Sequence, residues 1–350
     1  MNRVLLVLAL LVAFIPADAL QAQAEISARG ATLRMGGRLH AQFQSSSVED
    51  TEADFFFRRA RLIADVTVTD FWSGRVQADF AGGGASLQDA YVRMNFADNF
   101  RVSMGQFKRA FDLFELSSST ELSIIERDGR VAGVSACTGV GRVCSYGRFI
   151  SRLALGGRDQ GVRVETGFGQ FSFLGTITNG AGANSSDEND QKSLSGRLTF
   201  QATDDIAVSA QFARHDFVNG LEDDYANAWA VDGEYGGFRD GLHVQAALTG
   251  GDNWRILDGE GDPSTFMAWQ AVGSWYLPLS TERFVAWEPL FRISSGDPNT
   301  DVDDDAGLIF TPGVMLYVQG RNKVGFNVDF WSPETGDSEW SLKFQSFLYF

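Results

Sequence analysis

A series of basic side chains near the start of the chain has the type and spacing to conduct anions: Arg34, Arg38, Arg59, Arg61, Arg75, Arg93 and Arg101, then Lys108, Arg109, Arg127 and Arg130. A guanidinium offers paired donors that match phosphate or carboxylate, and a row of them lets an anion step between contacts without one deep trap. Carboxylates are interspersed at Asp65, Asp79, Asp89, Glu115, Glu121 and Glu126. The competing reading is that these acids pair with many of the arginines, which then fill a wall or hold a loop.

Such a row works only if the elements carrying it send every arginine to one face. In "RRARLIADVTV", Ala60, Leu62, Ala64, Val66 and Val68 alternate with Arg59, Arg61, Asp65 and Thr67. The same split separates Leu33, Leu39 and Phe43 from Arg34, Arg38 and His40, and Ala90, Val92, Met94 and Phe96 from Asp89, Tyr91 and Arg93. Period-two alternation over about ten residues is the pattern of a tilted strand crossing a bilayer, one face in lipid and the other wet. A one-residue slip would put the charges into lipid.

Sixteen such segments are expected, near 32–46, 54–69, 73–82, 87–97, 100–107, 159–168, 169–179, 192–203, 205–217, 225–236, 238–250, 266–277, 282–294, 307–319, 322–331 and 340–350. Short turns at "TDFW", "ADN", "ATDD", "LPLST" and "QGRN" alternate with longer polar links near 47–53, 180–191, 218–224, 251–265, 295–306 and 332–339. The fold class that follows is all-β: a 16-stranded antiparallel transmembrane β-barrel, with both ends of the chain on the short-turn, periplasmic side. A soluble sandwich shares the alternation but does not require sixteen segments.

The last strand, "EWSLKFQSFLYF", puts Trp340, Leu342, Phe344, Leu348 and Phe350 on one face. It must pair with the first strand so that no edge is left in lipid, and Phe350 is expected to act as an assembly signal. At the other end, residues 1–24 carry Arg3, an apolar run and the small-residue site Ala22-Gln23-Ala24. They read as a signal peptide cut before Glu25, leaving 25–350 as a single barrel domain in the bacterial outer membrane.

The pieces "FFFRRARL", "LQDAYVRM", "MGQFKRAF", "GRDQGV", "TNGAGANSSDENDQK" and "WEPLFRIS", with terminal Phe350, resemble the phosphate-selective porin O/P family of bacterial outer-membrane channels. The resemblance implies a trimeric sixteen-stranded porin whose third loop folds into the lumen as a constriction lined by basic residues. The chain leaves such a loop at 107–158, too long for an ordinary connection. It departs from the family in having only four lysines, Lys108, Lys192, Lys323 and Lys343, of which Lys108 alone lies in that loop.

The formal charge is −16. Residues 107–158 nonetheless sum to +3, and the acidic excess lies in 159–350, much of it in "SSDENDQ", "LEDDY" and "DVDDDAG". These runs read as solvated loops, with lipopolysaccharide bridging through divalent cations as the sharper alternative. "DVDDDAG" lacks the glutamate spacing of a calcium loop. Cys137 and Cys144, inside "CTGVGRVC", read in an exported protein as a disulfide pinning the loop, with two free thiols as the alternative.

The expected function is passive diffusion of small anions, phosphate or related oxyanions among them, with a general diffusion porin lacking phosphate preference as the alternative. No enzyme, cofactor, metal or nucleic-acid role is expected. A hydrolase would need His40, His215 or His243, and none stands in a catalytic motif. "GGG" at 82–84 is not followed by the lysine of a phosphate loop. A mainly structural or adhesive barrel is the remaining rival class.

Overall fold

Period-two alternation produces sixteen long strands in the computed structural model, which describes residues 24–350 apart from 29, 188 and 221. The signal segment lies outside the described residues. The strands are β1 (Ala31–Ser46), β2 (Asp54–Thr67), β3 (Trp72–Asp79), β4 (Ser86–Ala97), β5 (Phe100–Lys108), β6 (Arg158–Phe168), β7 (Phe171–Thr178) and β8 (Ser193–Gln201). Then come β9 (Ile206–Asn219), β10 (Glu222–Gly237), β11 (Asp240–Leu257), β12 (Pro263–Trp275), β13 (Ala286–Asp297), β14 (Gly307–Gln319), β15 (Asn322–Pro333) and β16 (Glu339–Tyr349). Among the described residues no helix is long and apolar enough to cross a membrane. The strands do the crossing.

Each strand pairs antiparallel with its neighbours, and β16 pairs with β1 from Ser341 opposite Ser46 to Tyr349 opposite Arg38, which closes the ring. Gly37 N–H donates to the Phe350 carbonyl at 2.7 Å, and Phe350 N–H returns the bond at 3.2 Å. A Cβ on Gly37 would lie 2.5 Å from the Phe350 ring, so only glycine leaves room for this closure. A further short strand, Ala24–Ala28, pairs with Ala31–Met35 of β1, an element the sequence reading did not foresee.

The alternation resolves into two faces. On β10, Ala226, Ala228, Ala230 and Asp232 are buried inside the barrel, while Trp229, Val231 and Tyr235 are exposed outside. Phe55, Phe57, Leu62, Val76 and Met104 belong to the same exposed apolar belt, which suits lipid.

Two of the expected long links are corrected. The link between β9 and β10 lies between Asn219 and Glu222, and that between β11 and β12 is only 258–262, because the strands run on through Glu222–Tyr225 and residues 251–257. A strand length matched to the bilayer underestimates strands whose ends stand in water, where charged residues cost nothing. Conversely, "LPLST" is not a turn throughout: its Leu277–Pro278 form a two-residue strand paired with Trp287 and Ala286 of β13, and the connection beyond it is residues 279–285. The connection between β5 and β6 is residues 109–157, with two short helices, α1 (Leu113–Leu116) and α2 (Tyr146–Arg152).

Candidate functional site

The 109–157 segment supplies most of the apolar core. Phe111, Phe114, Ile125, Tyr146, Phe149 and Ile150 are buried against the inner face of β9–β16, where they meet Ala228, Ala230, Ala268, Phe266, Ile309 and Trp331. Small alanines on that wall leave the depth the segment needs. Phe149 stacks on Phe266 at 5.3 Å between ring centroids, and a Cβ on Gly296 would sit 2.2 Å from the Phe149 ring. Each such aromatic burial contributes about 1.5–3 kcal/mol. Cys137 and Cys144 are joined in a disulfide.

Asp112 ties the two helices together: its carboxylate caps α1 at Glu115 N (2.7 Å) and accepts the Tyr146 hydroxyl at 2.8 Å. Burial pushes its carboxyl up to about 6 in spite of these bonds.

Because the segment fills the β9–β16 side, inner residues there such as Thr249, Gln270 and Glu288 are almost fully covered. Across the barrel Arg75 and Asp65 keep 37% and 42% exposure. The open part of the lumen therefore runs along β2–β6, between that wall and the charged edge of the segment.

This open wall carries the predicted arginines, most of them paired. Arg61 meets Asp79 and Arg75 meets Asp65, each at 2.6 Å. Arg93 lies 3.5 Å from Glu165, with its guanidinium over the Tyr91 ring. Arg101 donates to the Asp98 carbonyl, and Arg34 is exposed, opposite Asp65 in register. Arg109 is buried on Asp159 at 2.6 Å, away from the open path. Lys108 donates to the Glu115 and Ser117 carbonyls and lies 3.6 Å from the Glu115 carboxylate, and Arg127 donates to the Phe114 and Ser117 carbonyls. The Arg130 guanidinium makes no hydrogen bond or ion pair among the described residues, while its backbone N–H donates to Asp329.

Two positions stand apart. Arg58, which strand parity assigns to lipid, turns inward because the pairing of β1 with β2 jumps from His40 opposite Arg59 to Ala41 opposite Phe57. Such a bulge leaves one residue unpaired and redirects it. Arg58 and Arg59 thereby share one carboxylate, Glu126, at 2.6 and 3.4 Å. Burial would raise the Glu126 carboxyl, but these cations outweigh it and hold it at about 2.

Arg38 is the second. It is 8% exposed, donates one hydrogen bond, to Ser119 Oγ, and has no carboxylate within ion-pair distance among the described residues. Its Nε, like that of Arg59, is buried without a partner. The neighbourhood holds Arg38, Arg58, Arg59, Arg61, Lys108, Arg127 and Arg158 against Asp79, Asp89, Glu115 and Glu126, a surplus of positive charge. Sequence reasoning missed Arg58, Arg158, which meets Asp89 at 2.8 Å, and Arg163, which pairs with Glu165 and lies over Tyr91.

The histidines are accounted for on the wall. His40 faces Arg59 (3.3 Å) and His243 meets Glu234 (2.8 Å). Ser193, His215 and Asp216 are neighbours, but the carboxylate binds the serine hydroxyl rather than the imidazole, and all three are buried. A relay needs the histidine between acid and nucleophile. In the acidic run 301–305, burial and Asp297 push Asp305 up to about 6. Among the described residues no group of three or more His, Cys, Asp or Glu is placed to hold a metal ion.

A sequence model of the family described as phosphate-selective porin O and P matches residues 33–222. Among curated proteins none matches the chain. The fold is similar to the anion-selective porin from Comamonas acidovorans, with TM-score 0.66 and 11% identity over 91% of this chain and 100% of that one. It is similar also to Salmonella typhi OmpF in complex with daunomycin (0.61, 12%, 93% and 100%), and to the outer membrane channel DcaP of Acinetobacter baumannii (0.61, 16%, 93% and 100%). At these identities the likeness speaks for the barrel alone.

Proposed function

From the premise that this chain belongs to the phosphate-selective porin O and P family and is a channel of the bacterial outer membrane, we propose that its lumen passes small anions, phosphate-like oxyanions among them. The observation that carries this reading is Arg38. A guanidinium this buried is ordinarily paired, and here its countercharge is missing. A permeating anion supplies it. The positive surplus around Arg38 acts in a confined, weakly screened space, whereas many of the acids behind the charge of −16 lie in outer loops or at exposed strand ends such as Glu222 and Asp223.

Segment 109–157 is the constriction in this account, with Arg38, Arg58, Arg59, Arg61 and Arg127 as the anion contacts. The mature barrel is 25–350. A homotrimer is part of the proposal, supported by the trimer form recorded for a neighbour of the same fold, OmpT of Vibrio cholerae.

The pairing of Arg61, Arg75 and Arg93 with carboxylates favours a second reading, a general anion pore without phosphate preference. Adding phosphate to one side of a single channel carrying chloride separates the two. Phosphate preference predicts a saturable fall in chloride current that Arg38→Gln weakens; an unaltered current leaves only the general pore.

A further inference from the structure

Three of the chain's four lysines end on main-chain carbonyls of the 109–157 segment. Lys108 reaches Glu115 and Ser117, Lys323 reaches Leu122 at 2.6 Å, and Lys343 reaches Arg130. Arg292, on β13, does the same with both Glu126 O (2.8 Å) and Arg127 O (3.2 Å). Behind them, Asp329 accepts Arg292 at 2.8 Å together with Lys343, Thr311 and the Arg130 N–H. Glu288 accepts Ser123 Oγ at 3.0 Å and Tyr317 Oη at 2.5 Å.

We propose that Arg292, Lys323 and Lys343 are positioning residues for ion selection: they hold the backbone of 122–130 so that the Glu126 carboxylate is pinned on Arg58 and Arg59 instead of standing free in the pore. This rests on the reading of the segment as the constriction. Strands β13, β15 and β16 each contribute one cation, and their ends fall on carbonyls spread over a single stretch. Their donors are engaged by that backbone together with Asp329, Thr311 and the Tyr317 hydroxyl, and all three side chains are buried, so they offer little to a passing ion. Three of the four lysines therefore serve as a clasp, and the arginines opposite serve as the filter. Removing either Arg292 or Lys343 leaves Asp329 with one cation, so neither change strands a buried charge.

A double-mutant cycle tests the proposal, with the anion-to-cation permeability ratio as the readout. Arg292→Met should lower the ratio by about twofold or more, the lower end of coupling between contacting residues. In a Glu126→Gln background it should change nothing, because no carboxylate remains to be misplaced. An equal change in both backgrounds would overturn the proposal, since the guanidinium would then act on ions by its own charge. No change in either, with thermal stability alone reduced, would overturn it too. Should Arg292→Met not assemble, Lys343→Met enters the same cycle. A wild-type pore that prefers cations would refute the proposed function while leaving the cycle readable.

Discussion

Arg58 Nε lies 2.6 Å from Glu126 Oε1, a contact across the barrel between a bulged wall residue and the edge of the inner segment. Because Arg59 uses the same carboxylate, one negative charge serves two cations. Glu126→Gln should therefore raise anion preference, measured as reversal potential, while costing about 3–5 kcal/mol for the broken ion pair. Arg58 is partly exposed, which places the cost toward the lower figure. A fall in anion preference would show that Glu126 does not face the ion path.

Asp112 predicts a pH effect. Its carboxyl is held at about 6 in the fold, above the unfolded value near 4. The folded state thus binds the extra proton, and the stability it brings is present below pH 4 and lost as pH rises through about 6. Limited proteolysis of the 109–157 segment should quicken over that interval, and Asp112→Asn should flatten the dependence. Glu126, held at about 2, works in the opposite direction: its contribution is present above about pH 4 and is lost as pH falls through about 2.

The Cys137–Cys144 ring limits the segment's unfolded conformations and contributes about 2 kcal/mol by loop closure. Reduction should increase open-channel current noise and leave assembly unchanged, since the aromatic packing of Phe111, Phe114 and Phe149 persists. Failure to assemble after reduction would place the disulfide in barrel folding instead.

Phe350 and Gly37 predict an assembly defect. Gly37→Val would drive a side chain into the Phe350 ring, and Phe350→Ala would empty the slot. Both should lower the yield of folded channel, seen as heat-modifiable electrophoretic mobility, more than they alter ion selection. A normal yield with altered selectivity would contradict this.

The barrel was legible because lipid and water impose period two: Trp340, Leu342 and Phe344 face outward as the alternation requires, and β14 has the expected limits 307–319. The site was less legible. Arg58 has lipid-facing parity, and only a bulge, invisible in residue types, turns it inward. Ala226, Ala228 and Ala230 read as ordinary apolar positions, yet their smallness admits the inner segment. Nor could a sequence show that Lys108, Lys323 and Lys343 would spend their donors on carbonyls, because carbonyls are common to every residue.

In the proposed channel a few buried cations, not the net charge, set the pore's preference. The reversal potential of single wild-type channels in a potassium chloride gradient tests it most directly, with Arg38→Gln as the comparison. The expected result is a wild-type potential displaced toward the chloride equilibrium value, and a smaller displacement in Arg38→Gln. A wild-type potential on the potassium side would contradict it, making these arginines wall ties for Glu126, Asp79 and Asp65 and leaving the acidic outer charge in control.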